Sequence, residues 1–289
     1  CGSTPSQSVS HADHSFDLSS ERAVIIGNGN VSLDIARVLL SPLESLAGTD
    51  IADHALEALR DSAVREVVIV ARRGPRHAAF SVGEFMALGL LPDVDVIVDT
   101  ADLEPDPDDD IETVIKLEVA REYAERRPTP GNKRIVFRFF ACPEEIVGDN
   151  RAHGLRVALP DGRTEVIEAE LILRSTGYQG SAIAGVPFDA AAGAVPNDQG
   201  RVVDDNGRPV TGVYVTGWIK RGPRGVIGTN RTCAEQTVAR LWEDFDAGLL
   251  APQVRDRDEI QESLATRAVI PVNWKEWAGV FPLNESNQF

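Results

Sequence analysis

The sequence predicts an α/β protein built on a doubly wound parallel sheet, and three observations carry that reading. Wholly apolar, strand-like runs occur at residues 23–26 and 67–70, and strands without polar alternation belong to parallel sheets covered on both faces. A glycine turn, Gly27-Asn28-Gly29-Asn30-Val31, separates the first run from a segment of helical period. Beyond Arg134 the pattern changes to shorter strands joined by turns, which predicts an antiparallel meander added to the parallel core.

Residues 1–20, bearing Ser and His and without period, read as a linker or entry segment. Residues 21–175 then form the first domain. Its opening strand at 23–26 leads through the glycine turn into a helix in which Val31, Ile35, Val38 and Leu39 recur at helical spacing. A second amphipathic segment, with Ile51, Ala55, Leu56 and Leu59 on one face, lies within 41–63, and strand 67–70 follows. Residues 81–91 predict a helix and 94–98 a third strand, so the order β-α-β-α-β implies double winding.

Residues 99–110 hold seven acids in twelve positions and read as a solvated loop; the glycine required at the bend of a calcium loop is missing. The meander is expected from strands at 135–140, 154–159 and 165–173, with Pro160-Asp161-Gly162-Arg163 as a hairpin turn. Residues 176–289 make a second unit. It contains a strand at 213–216, a helix at 232–245 with Thr229 or Asn230 as its N-cap, and a polar tail after Ala251.

Composition narrows the function. The chain has 289 residues, 43% hydrophobic and 26% charged, with a formal net charge of -16. So acidic a protein lacks the cationic face that nucleic acid needs. Cys1, Cys142 and Cys233 form no metal or disulfide spacing, which fits a reducing, cytoplasmic setting, and no apolar stretch reaches bilayer length. The chain starts at Cys1 and its single methionine is Met86, as expected of a fragment or a processed chain.

Two regions carry chemistry. Glycines between a strand and a helix let backbone N–H groups and the positive helix end approach a pyrophosphate; Gly27 and Gly29 take the first two places of such a turn and Ser32 the third. The second strand ends in Ala71-Arg72-Arg73-Gly74 instead of an acid. Arginine forks match phosphate oxygens, so Arg72 and Arg73 point to the 2′-phosphate of NADP. From Asn206 to Ala234 there are five cations and no acid, against the charge of the whole chain. That segment holds Gly217-Trp218-Ile219-Lys220-Arg221 and Gly225-Val226-Ile227, which offer a flat apolar surface, backbone donors and positive potential suited to a flavin ring.

These motifs, together with Ala78-Ala79-Phe80 and Glu84, resemble the adrenodoxin reductase type of ferredoxin–NADP reductase, in its actinobacterial branch, from about Phe16 to Leu250. The resemblance implies that Asn28, Gly29, Asn30 and Val31 contact the NADP pyrophosphate, that Arg72 and Arg73 hold its 2′-phosphate, and that Glu84 is a further cofactor contact. It assigns Trp218, Gly225, Val226 and Ile227 to FAD, with Gly225 also near the nicotinamide. It also implies that 21–175 is the NADP-binding domain and 176–289 the second segment of a discontinuous FAD domain, whose first segment is expected upstream of Cys1. Where many members carry an acid three places beyond the position of Glu84, this chain has Ala87, so an active-site ion pair is not expected.

The implied activity is electron transfer from NADPH through FAD to a ferredoxin or similar iron–sulfur protein, with no catalytic nucleophile and no metal. Two alternatives stay open at this point. One is a flavin-free, truncated NADP-binding module without turnover. The other is a flavoprotein of the glutamate-synthase small-subunit type.

Overall fold

The computed structural model describes residues 16–100, 103–222, 227–250, 256–267 and 273–275. The chain forms two compact units that divide between Gly177 and Tyr178.

In the first unit, β1 (Arg22–Ile26) leads into α1 (Asn30–Leu40), then the short helices α2 (Leu43–Ala47) and α3 (Asp53–Arg60) and β2 (Glu66–Val70). There follow α4 (Val82–Leu88), β3 (Val94–Val98), α5 (Ile111–Glu125) and β4 (Lys133–Arg138). The meander β5 (Cys142–Val147), β6 (Gly154–Ala158) and β7 (Thr164–Glu168) precedes β8 (Leu171–Arg174). The main sheet has the order β3-β4-β2-β1-β8, with every pairing parallel.

Side-chain alternation across this sheet explains its burial on both faces. Ala23, Ile25, Val67 and Ile69 point to one side, where they share a core with Leu33, Ala36 and Leu40 of α1, Phe85 of α4 and Phe137. Val24, Val68 and Val70 point to the other, where Leu155, Val157 and Ile167 of the meander cover them. Helices thus cover one face and the meander the other. An aromatic cluster anchors the helical side: Phe85 stacks on Phe80 at 4.5 Å and meets Phe137 and Tyr123 edge-on at 5.3 and 5.1 Å.

Several expectations need correction. The run at 135–140 is not a meander strand, because β4 enters the parallel sheet between β2 and β3. Residues 165–173 form two strands, β7 in the meander and β8 beside β1. Helix α1 buries Ser32, Leu33, Ala36 and Leu40, whereas Val31 and Val38 are exposed. Helix α5, absent from the sequence reading, is capped by the Asp110 carboxylate, which accepts from the Thr113 N–H at 2.7 Å. The acidic loop before it is not simply solvated, since Asp106 and Asp109 hold Arg76. Within the entry segment, Leu18 packs on the core and its carbonyl accepts from Ala63 N–H. The hairpin turn stands where expected: β6 and β7 are antiparallel, and Gly162 adopts φ +82°.

The second unit contains a small antiparallel sheet of β9 (Asn197–Asp198), β10 (Arg201–Val203) and β11 (Pro209–Tyr214). The four-residue helix α6 (Trp218–Arg221), α7 (Ile227–Asp246) and α8 (Arg257–Ala265) follow. Its core is slight: Val195, Val202 and Val215, with Val186, Phe188 and Ile219 against them. Helix α7 begins at Ile227, so Thr229 and Asn230 lie within its first turn and are not its N-cap. No helix among the described residues is long and apolar enough to cross a membrane.

Candidate functional site

The carboxyl ends of β1, β2 and β8 bring the first set of sequence-assigned residues together. Gly27 has φ +115°, its N–H donates to the Val70 carbonyl at 3.0 Å, and a Cβ there would stand 2.2 Å from the Ser175 carbonyl oxygen. No other residue fits this crossing of three strands. Gly29 starts α1 with extended geometry, no side chain caps the helix, and its first turn holds no acid. Its unpaired N–H groups and positive dipole end are left for an anion.

The turn is fastened from below. The Asn28 carbonyl accepts from Phe80 N–H at 3.1 Å, and Asn30 Oδ1 accepts from Ser81 N–H at 2.8 Å. Val31 is exposed on α1, away from the core. Ser32 is fully buried, and its hydroxyl is one of two buried polar atoms without a partner among the described residues. Small size is what this position requires, where the helix meets the sheet.

Arg72 and Arg73 leave the end of β2, next to β1 in the register Ile26 with Val70. Both are exposed, and neither has an ion pair among the described residues. Arg76, four residues on, differs: it bonds the Asp109 carboxylate, pairs with Asp106 at 3.3 Å and donates to the Glu104 carbonyl at 2.8 Å. That guanidinium holds the Asp109 carboxyl below its ordinary range, chiefly by hydrogen bonding. Gly74 permits the bend after the arginines because a Cβ would meet the Phe140 ring at 2.5 Å. Glu84, in the first turn of α4, pairs with Arg37 of α1 at 2.5 Å, and Arg37 also holds Asp34 at 2.9 Å. Glu84 thus ties α4 to the helix that the glycine turn starts, a link invisible in the sequence motif.

A cavity of about 600 Å³ opens at the opposite, amino edge of the sheet. Its cations are already committed: Glu66 holds Arg22 and Arg134, and Arg65 donates to the Gly131 carbonyl at 2.6 Å. It lacks the free N–H groups and unpaired arginines of the carboxyl edge.

In the second unit, Gly217 adopts φ +74° at the start of α6, and Trp218 follows with 45% of its surface exposed. Helix α7 holds this turn: Gly217 N–H lies 3.4 Å from the Cys233 sulfur, and Lys220 Nζ donates to Gln236 Oε1 at 2.7 Å and Thr237 Oγ1 at 3.1 Å. Burial pushes the Cys233 thiol up, but hydrogen bonds from Gly217, Thr216 and Arg221 outweigh it, and the thiol sits below its ordinary value. Among the described residues of the cation-rich segment, Lys220 turns onto α7 and Arg231 pairs with Glu235 at 3.0 Å, so these two cations already have partners. Arg224, Gly225 and Val226 lie outside the described residues, and Ile227 is the first residue of α7.

No protein-family model matches the chain. It is 48% identical over 285 residues to the NADPH-ferredoxin reductase FprA of Mycobacterium tuberculosis, covering 90% of this chain and 61% of that protein. A probable ferredoxin/ferredoxin–NADP reductase of Mycobacterium bovis is 44% identical over 93% of this chain and 48% of its own length. The mitochondrial NADPH:adrenodoxin oxidoreductase of Arabidopsis thaliana is 33% identical over 92% of this chain and 63% of its own. The chain therefore spans about half to three fifths of the length of the curated relatives it matches. Among solved structures, M. tuberculosis FprA in complex with NADPH superposes with a TM-score of 0.75 at 41% identity, over 87% of this chain and 60% of that one. In sequence and in fold the chain is similar to NADPH-ferredoxin and adrenodoxin reductases, over the part of those proteins that it spans.

Proposed function

We propose that the chain provides the NADP-binding domain, residues 21–175, and the second segment of the FAD-binding domain, residues 176–289, of a ferredoxin–NADP reductase. One observation carries this reading. At the carboxyl edge of the parallel sheet an uncapped helix end and two unpaired arginines stand on adjacent strands, while the nearby Arg76 is neutralised. A dinucleotide with a 2′-phosphate satisfies both features.

In this reading the N–H groups of Asn28, Gly29, Asn30 and Val31 take the pyrophosphate, and Arg72 and Arg73 fork onto the 2′-phosphate. Glu84 is a further cofactor contact, and its pair with Arg37 ties α4 to α1. Trp218, with Gly225, Val226 and Ile227, lines the flavin; the half-exposed ring of Trp218 on a positive-φ glycine fits a planar group. When bound, NADPH would supply a hydride to FAD, whose two electrons would leave one at a time to a ferredoxin or similar iron–sulfur protein while the proton is released to water. The chain's own contribution is placement and electrostatics, and a cytoplasmic location accords with its cysteine usage.

NADPH and NADH titrations of Arg72→Ala test the reading. Loss of one charge-assisted contact is expected to weaken NADPH by about 1.5–3 kcal/mol and to leave NADH nearly unchanged. Equal loss for both cofactors removes the 2′-phosphate role. A visible spectrum of the purified chain, yellow if flavin is held, separates this function from a flavin-free module.

A further inference from the structure

Trp218 has a neighbour that no motif assigned. The Tyr178 ring stacks on it with centroids 5.9 Å apart and planes inclined by 29°. Tyr178 is 65% exposed and Trp218 45%, so this pair of large rings remains open to solvent instead of filling the core of its unit.

Backbone geometry shows that the pairing is built. Gly177 and Gly217, with φ +98° and +74°, immediately precede the two aromatic residues. The segment carrying Tyr178 lies against α6: a Cβ on Gly180 would stand 2.3 Å from the Gly193 carbonyl oxygen and 3.1 Å from Ile219 Cδ1. Gly180 N–H donates to that Gly193 carbonyl at 3.2 Å, and Val195 N–H donates to the Ile219 carbonyl at 2.8 Å. Two segments forty residues apart are thereby clamped so that their rings meet. A fixed, exposed aromatic pair with glycine on either flank suits a planar heteroaromatic ligand, which stacks at little entropic cost on a surface already formed.

We propose that Tyr178 is a second ring contact of the flavin site, forming with Trp218 a two-ring wall that sets the plane of the isoalloxazine. This rests on the assignment of Trp218 to the flavin, so the test separates the two claims. FAD, and riboflavin as the isoalloxazine without the nucleotide, are titrated into the purified chain and into Tyr178→Leu and Tyr178→Phe, following quenching of flavin emission. Tyr178→Leu is expected to weaken both ligands roughly 3- to 10-fold. Tyr178→Phe, which keeps the ring, stays within about twofold, and NADPH affinity is unchanged in both variants.

Wild-type affinity in Tyr178→Leu overturns the proposal and leaves the Trp218 assignment standing. Equal loss in Tyr178→Leu and Tyr178→Phe also overturns it, because the ring would then not be the contact, and so does weakening of FAD without weakening of riboflavin. If the wild-type chain quenches neither ligand while Trp218→Leu is equally inert, the flavin assignment of Trp218 fails and takes this proposal with it.

Discussion

The two units solve the problem of shaping a ligand surface in opposite ways. The first sets its glycine turn on a sheet buried on both faces and backed by Phe80, Phe85 and Phe137, so apolar packing fixes the site. The second has a slight valine core, and polar clamps fix its turn: Lys220 and Cys233 tie α6 to α7, and Arg201 and Tyr214 tie the small sheet to Asp244 of α7. Along α7, Val238, Leu241, Trp242 and Phe245 are exposed. Buried area stabilises the first geometry, whereas the second depends on the ionisation and pairing of a few side chains.

The contrast is sharpest for aromatic deletions. Phe137→Ala removes a fully buried ring that meets Phe80, Phe85 and Phe139, and is expected to cost about 3–5 kcal/mol. Trp242→Ala, on the exposed face of α7, is expected to shift stability by no more than roughly 0.5 kcal/mol. Chemical denaturation of both variants checks this, and comparable losses would break the distinction.

Gly27→Ala comes next in size. A methyl group 2.2 Å from the Ser175 oxygen, on a backbone at φ +115°, should cost roughly 3 kcal/mol and abolish NADPH binding, because the turn must open to accept it. A variant that binds NADPH normally would show that the close approach is not needed.

Acid should distinguish the units more gently. Hydrogen bonds from Arg201 and then from Tyr214 hold the Asp244 carboxyl below its ordinary range, while burial and then Asp244 push the Tyr214 hydroxyl up to about 12. A carboxyl whose folded pKa is depressed contributes stability above its unfolded value and loses it as pH falls through the folded one. The clamp on α7 should therefore weaken as pH falls below about 4. All four tryptophans, Trp218, Trp242, Trp274 and Trp277, lie beyond Gly177, so their emission follows the second unit alone. Asp244→Asn should remove that acid transition from the emission; an unchanged transition would assign it elsewhere.

Where the sequence was legible, local chemistry was decisive. Strands β1, β2 and β3 announced themselves as apolar runs, and the turn at Gly162 followed from its residues. Helix α5 did not, because Ile111 is exposed while Lys116 is 6% exposed, donates to the Ala78 carbonyl and lies over Phe80, so no single apolar stripe marks its face. The place of β4 was hidden for another reason: its own pattern is equally compatible with a hairpin, and the crossover through α5 alone makes it parallel. In α1 apolar residues occur on more than one side, so spacing selected Val31 and Val38, which the structure leaves exposed.

By itself the sequence determined the glycine turn, the Arg72-Arg73 pair after the second strand and the Gly217-Trp218 turn, since each depends on neighbours within a few residues. Tertiary structure alone decided which charges are free and which rings meet. Arg76 is silenced by acids some thirty residues away, Glu84 is engaged by Arg37 across two helices, and Tyr178 reaches Trp218 over forty residues. The physical reason is that an ion pair or a ring stack depends on distance in space, which the order of residues fixes only once the chain has folded.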